Sequence, residues 1–157
     1  MQATEQDIFY MREALALARE AAEADEVPVG ALVVFRGEII ARARNRRETD
    51  RLATHHAEIV AIEEACRFRG GWRLPECTLY VTLEPCPMCG GAIVNARLPR
   101  IVFGAYDRRA GAFGSVVDLN GLPLNHKPQI VGGIGSEESK SILSAYFRAK
   151  RKKKDQA

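Results

Sequence analysis

Two short stretches hold the side chains best suited to chemistry. "THHAEIVAIEEACRF", residues 54–68, sets His55 and His56 just before Glu58, and "TLEPCPMCGG", residues 82–91, spaces Cys86 and Cys89 three apart. On the first turn of a helix a Cys-x-x-Cys pair can aim both sulfurs at one point. The partial positive charge of a helix N-terminus also favours the thiolate that binds metal. Two thiolates and one imidazole make three ligands. A closed structural zinc site takes four, so three leave a place for water, which is the mark of a hydrolytic site. Zinc acidifies such a water from a pKa of about 15.7 to about 7, and a carboxylate must then carry the proton. Residues two apart do not share a face of a regular helix. His56 and Glu58 can therefore serve one metal only if His56 stands at the extreme N-terminus, where the chain is still turning in. The stretch alone does not choose between His55 and His56, because a histidine pair at a helix start is commonly solvated or capping.

The surrounding pattern supplies elements that could hold these groups. Ile8, Met11, Leu15 and Ala18 recur at helical spacing and predict an amphipathic helix over about residues 5–24. "VPVGALVVF" and "EIIARAR", separated by Arg36-Gly37, read as two antiparallel strands of a hairpin. "HAEIVAIEEACRF" turns helical, with an expected apolar stripe of Ile59, Ile62 and Cys66, a Glu63–Arg67 pair and a stop at Gly70-Gly71. "CTLYVTL" is a strand, "CPMCGGAIVNA" a helix beginning at Pro87, and "RIVFGA" and "PQIVGGI" two further strands. Residues 105–127 are Gly-rich and irregular. Ser136 is expected to cap a last helix whose apolar face carries Ile142, Leu143, Tyr146 and Phe147. Helices alternating with strands after an initial hairpin predict an α/β protein with a mixed five-stranded sheet covered on both faces.

At 157 residues the chain fits one domain with a real core. It has neither a cationic start followed by an apolar run nor a span-length apolar segment, so we expect no signal peptide, no membrane and a cytoplasmic location. There thiols stay reduced, and the four cysteines are ligands, nucleophiles or core residues before they are disulfides. Cys66 and Cys77 lack partners at ligand spacing and read as core. The net charge of +3 is unevenly spread. Residues 148–157 hold six Lys or Arg against one Asp, which leaves −2 for residues 1–147. A single folded body over 1–147 followed by a basic tail over 148–157 is the expected organisation. The tail reads either as a solvated end or as a contact for nucleic acid.

"HAE" followed some 27 residues later by "PCPMC" resembles the signature of the zinc nucleoside and nucleobase deaminases. Over nearly its whole length the chain is similar to the bacterial tRNA adenosine deaminases. The shared stretches are "EVPVGALVV", "TLYVTLEPCPMC", "RIVFGAYD", "GAFGS", "NH" at 125–126 and "YFR" at 146–148. The resemblance implies a cytidine-deaminase-like, three-layer α/β/α fold and a homodimer. It also implies one Zn2+ per chain held by His56, Cys86 and Cys89, with Glu58 as proton shuttle. It puts Asn45 against the target nucleoside, Val27 and Leu83 in the pocket wall and Asp107 near the ribose, and we expect Phe147 and Arg148 to help cap the loop site. The implied reaction hydrolyses the wobble adenosine in a tRNA anticodon stem-loop to inosine, on a base already unpaired. The resemblance also tips the basic tail towards RNA.

The chain departs from the pattern at "LATH", where His55 stands in a place usually held by a small residue, and at Pro87, which guanine deaminases share. Two other functions remain open on sequence: a free guanine or nucleobase deaminase, and a non-catalytic zinc-stabilised RNA-binding domain. The basic tail and the segment 105–127 argue against the first. An intact Glu58 argues against the second. His126, following Asn125, reads as a loop-anchoring hydrogen-bonder.

Overall fold

The computed structural model describes residues 3–156. The elements in chain order are α1 (Glu5–Glu23), β1 (Gly30–Phe35), β2 (Glu38–Arg44), a single turn α2 (Arg47–Asp50), α3 (Ala57–Arg69) and β3 (Cys77–Leu83). They are followed by α4 (Pro87–Asn95), β4 (Arg100–Ala105), a 3-10 turn (Leu119–Gly121), β5 (Gln129–Val131) and α5 (Ser136–Gln156). The sheet runs β2-β1-β3-β4-β5. β1 is antiparallel to β2 and β3, whereas β3, β4 and β5 are mutually parallel. Arg36 and Gly37 join the hairpin with positive φ at both positions, 49° and 81°, the backbone of a type I′ turn.

Period-two alternation sorts the apolar side chains to opposite faces. Ala31 and Val33, Leu79 and Val81, and Ile101 and Phe103 enter one core beneath α3 and α4. Leu32, Tyr80 and Val102 enter the other, beneath α1 and α5. The three-layer arrangement follows. α1 lies so close to β1 that a Cβ at Gly30 would stand 2.1 Å from the Ala14 carbonyl oxygen, so only glycine fits there.

The expected helix faces differ in detail. In α3 the fully buried stripe is Ala57, Ala61 and Ala65 with Ile62, while Ile59 and Cys66 are only half-buried. Alanines at spacing four let the helix sit close on the sheet. Ser136 is the first helical residue of α5 and not its cap. The expected apolar face of α5 is half-buried at Ile142, Leu143 and Tyr146 and exposed at Phe147. Polar bonds anchor this helix instead. The Ser139 hydroxyl donates to the Thr82 carbonyl at 2.6 Å, Arg19 pairs with Glu138, and Tyr146 and Lys150 both bond Asp25. Residues 148–156 continue the same helix, and Ala157 lies outside the described residues. No helix among the described residues is long and apolar enough to cross a membrane.

A buried ionic cluster ties α1 to the sheet. The Asp7 carboxylate, 1% exposed, accepts from both Arg100 guanidinium nitrogens at 2.7 and 2.8 Å and from the Tyr80 hydroxyl at 2.7 Å. It also closes a capping box with Thr4. Arg100 above all holds the Asp7 carboxyl well below the usual carboxylate range. A depressed folded value means stability that is present above the unfolded pKa of about 3.9 and lost as pH falls through the folded value. We therefore expect Asp7→Asn to destabilise the protein at neutral pH by about 3 kcal/mol, since it leaves a half-buried guanidinium without its buried charge partner. That is a fall in melting temperature of about 6–12 °C. Melts of wild type and variant should converge as pH drops below about 3.9, and a constant gap across that range would exclude the linkage.

Candidate active site

Two helix N-termini meet at one point. His56 is the N-cap of α3 and Cys86 the N-cap of α4, both with extended backbone and neither making a side-chain capping bond. Their side chains are thus free to turn towards each other. Pro87 opens α4 and suits a first turn, where its missing N–H is no loss. Cys89, three residues into α4, is fully buried beneath them. The His56 Nδ1 lies 3.6 Å from the Cys86 Sγ and 3.5 Å from the Cys89 Sγ. The three ligand atoms fall within 4.8 Å of one another.

These separations test the donor set. Tetrahedral zinc, with Zn–S of about 2.3 Å and Zn–N of about 2.0–2.1 Å, sets nitrogen and sulfur about 3.6 Å apart. The residues fit. The Cys86 thiol is pulled down to about 4, first by the hydrogen bond from Cys89 and then by His56. Cys89 is pushed up by the same bond and by burial, and His56 is raised chiefly by Cys86. A cation bound to these thiols would release their protons.

Glu58 follows on the first turn of α3, 4% exposed. Burial pushes its carboxyl up to about 7, within the range useful to a proton carrier at neutral pH. A cavity of about 150 Å³ opens above it. Val27, Asn45, His56, Glu58, Leu83, Cys86 and Asp107 all line it, together with Val29, Arg47, Ala57, Glu84 and Ala110. Eight of the ten residues expected from sequence are thereby gathered at or directly under one pocket. Phe147 lies instead in a neighbouring cavity of about 580 Å³ between the end of α1, α2 and α5, which shares Val27 and Arg47 with the first. Arg148 lines neither. It is exposed on α5, and its side chain bonds the Ser144 carbonyl at 3.4 Å.

His55 points elsewhere. Its Nδ1 stands 2.7 Å from Asp50, which also takes two bonds from Arg46 at 3.0 Å, and its Nε2 stands 3.9 Å from Glu63. The imidazole braces the loop ahead of His56. Asn45, 7% exposed, donates to the Val27 carbonyl at 3.3 Å and accepts from the Arg47 amide at 3.1 Å. His126 anchors its loop through the Leu98 carbonyl at 2.7 Å, as expected. Cys77 is core, and Cys66, half-buried, contacts the Trp72 carbonyl.

Sequence reasoning passed over two buried carboxyls. Glu26, 1% exposed, accepts from the Glu48 and Thr49 amides and the Thr49 hydroxyl, fixing α2 beside the pocket. Glu84, 2% exposed, does the same for the segment after β4. An acid set within an otherwise apolar run, as in "EVPVGALVV" and "YVTLEP", is the signal that could have marked both.

Comparison with known proteins agrees with this geometry. The MafB19-like deaminase family model matches residues 5–151. A tRNA-specific adenosine deaminase of Bacillus subtilis (strain 168) is 50% identical over 153 residues, spanning 97% of this chain and 95% of its own. A structure from studies of A-to-I editing by tRNA:A34 deaminases at the wobble position of transfer RNA superposes with a TM-score of 0.84. It is 46% identical and covers 86% of this chain and 99% of its own. A guanine deaminase from Bacillus subtilis is more distant, with a TM-score of 0.61 and 30% identity over 78% of this chain and 88% of its own. The chain belongs to the MafB19-like deaminases and, within them, to the tRNA-specific adenosine deaminases.

Proposed function

We propose that the protein hydrolyses the wobble adenosine of a tRNA to inosine, consuming one water and releasing ammonia. The observation that carries this reading is the triad of His56, Cys86 and Cys89, with separations that suit tetrahedral zinc and a buried carboxyl beside it. These three residues would hold one Zn2+ per chain, whose Lewis acidity makes water a nucleophile near neutral pH. Glu58 would carry one water proton to the ring nitrogen next to the reacting carbon, where the product keeps it, and the second water proton to the departing amine. Val27 and Leu83 flank the base, Asn45 and Asp107 face the nucleoside, and the small, half-enclosed pocket keeps bulk water from the reacting carbon.

Outside the pocket, the larger cavity presents Arg47 and Lys150 beside Tyr146 and Phe147. Cations beside aromatic rings suit the phosphates and splayed bases of a single-stranded loop. Arg148 and the exposed Arg151, Lys152 and Lys154 extend this surface along α5. Lys150 is already engaged by Asp25, so Arg151, Lys152 and Lys154 are the cleaner test. Changing them together to Gln should weaken tRNA binding and lower the log–log salt slope by about 0.7 for every phosphate no longer neutralised. Zinc content and turnover at saturating RNA should hold, and an unchanged slope would remove these residues from the interface.

A homodimer and a cytoplasmic location belong to the same reading. Met88 on α4, with Val116, Val117, Leu122 and Leu124 in the segment that follows β4, are large apolar residues left exposed on the single chain. Sedimentation of the purified protein tests the dimer.

The deciding experiment incubates the zinc-loaded protein with unmodified tRNA and assays inosine. Inosine at one position of the anticodon loop, with negligible conversion of free guanine, is the expected result. Rapid guanine conversion without tRNA editing would overturn the substrate. Absence of any turnover with zinc bound would favour a binding module.

A further inference from the structure

The segment after β4 has little regular structure, yet it supplies Asp107 and Ala110 to the pocket that contains Glu58. Backbone bonds such as the Gly111 amide to the Asp107 carbonyl at 2.8 Å shape it locally, and Glu84, whose carboxyl group is 2% exposed, fastens it from outside. All its hydrogen bonds come from that one segment. Oε1 accepts from the Asp107 amide at 3.1 Å, and Oε2 accepts from the Phe113 and Ser115 amides at 3.0 and 3.2 Å. The Ser115 hydroxyl also donates to Oε1. The backbone closes on this group so tightly that a Cβ at Gly111 would stand 2.4 Å from the carboxyl carbon. Glu84 itself leaves β3 directly after Leu83 and two residues before Cys86, so it is rooted in the frame that carries the metal ligands.

We propose that Glu84 is the positioning residue that sets the Asp107–Ala110 wall of the substrate pocket, fixing its distance from Leu83 and the metal centre. This rests on the deaminase reading above. The chemistry is that of an acceptor-only group in a dry site. Two oxygens receive four donors spread over nine residues, which gathers an otherwise irregular chain into one rigid wall. A glutamine at the same position has one oxygen and one NH2, and the NH2 would face N–H or O–H donors on whichever side it lies. At least one anchor must let go, while side-chain volume stays almost unchanged.

Glu84→Gln, prepared with zinc, tests this. Its zinc content should match wild type, and the 107, 113 and 115 amides should exchange faster with deuterium. The KM for an anticodon stem-loop should rise about tenfold with kcat held within about threefold, the pattern of lost substrate positioning without lost chemistry. Because Glu84 acts through the wall, adding Glu84→Gln to Asp107→Ala should cost less than it does alone. Additive effects, unchanged KM or unchanged amide exchange would overturn the proposal. If Glu84→Gln does not fold or loses zinc, Ser115→Ala removes one donor from the far side and should still quicken exchange at 113 and raise KM about threefold. No effect of that variant on either measure would also overturn it. If wild type makes no inosine in the stem-loop, the substrate reading fails by itself, and the amide exchange still decides whether Glu84 holds the wall.

Discussion

Glu58→Ala should keep about one zinc ion per chain and lose nearly all turnover. Glu58 is outside the three-atom ligand group, so its removal takes no donor from the metal. The proton, however, loses its carrier. Removal of a general acid–base group costs about 10²–10⁴-fold, and more where one group serves several transfers, as it would here for water, ring nitrogen and leaving amine. Glu58→Gln is the sharper variant, because it preserves shape and removes only the exchangeable carboxyl. Zinc measured by atomic absorption beside inosine formation separates the outcomes. Near-wild-type turnover in either variant would exclude Glu58 as the shuttle, and loss of zinc in step with activity would make it a ligand.

His56→Ala, Cys86→Ala and Cys89→Ala should each strip zinc and abolish deamination, whereas His55→Ala should leave zinc bound. The contrast between adjacent histidines follows from where their rings point. His56 turns to the two sulfurs at 3.5–3.6 Å, while His55 turns to Asp50 at 2.7 Å. Losing one of the three leaves two protein ligands, fewer than the three that an open zinc site needs. Losing His55 leaves the metal donors intact and frees only the loop between α2 and α3. A modest loss of activity from that loop is expected, together with a lower melting temperature. The reverse pattern, in which His55→Ala empties the site and His56→Ala does not, would reassign the ligand.

The candidate metal site was legible in the sequence because His56, Cys86 and Cys89 each sit at a helix start. His-x-Glu and Cys-x-x-Cys are local patterns, and α3 and α4 need only their own capping and periodicity to present them. The five strands were legible for the same reason, since "GALVVF" and "CTLYVTL" are apolar along their length and bounded by turns. Faces were harder. Ile59 and Cys66 have the hydrophobicity of core residues, but the close approach of α3 to the sheet selects Ala57, Ala61 and Ala65. In α5, Ile142 and Leu143 have the right spacing, yet the helix lies at the margin of the sheet, where Ser139 alone is deeply buried. The segment 105–127 was opaque because its order comes from aperiodic backbone bonds and from a carboxyl outside it, Glu84, and not from any period of its own. Long-range polar bonds follow no period, and their one local trace is the acid beside an apolar run. The role of His55 was hidden likewise, since its partner Asp50 belongs to a single helical turn too short to signal itself.

The polar fastening of α5 bears on how salt acts on this enzyme. Arg19–Glu138 and Lys150–Asp25 are exposed ion pairs, which dissolved ions screen, and there is little buried apolar surface beneath the helix to compensate. Such an element opens on its own, at a lower free energy than the sheet it rests on. On the proposed reading, raising the ionic strength works twice: it competes for the phosphates of the RNA, and it loosens the helix whose cations would reach them. The measured salt slope of binding then contains a share belonging to the protein's own local unfolding, and inferring the number of bound phosphates from that slope would overstate it. A covalent staple between α5 and the end of α1 would remove that share, leaving a shallower slope with every phosphate still held.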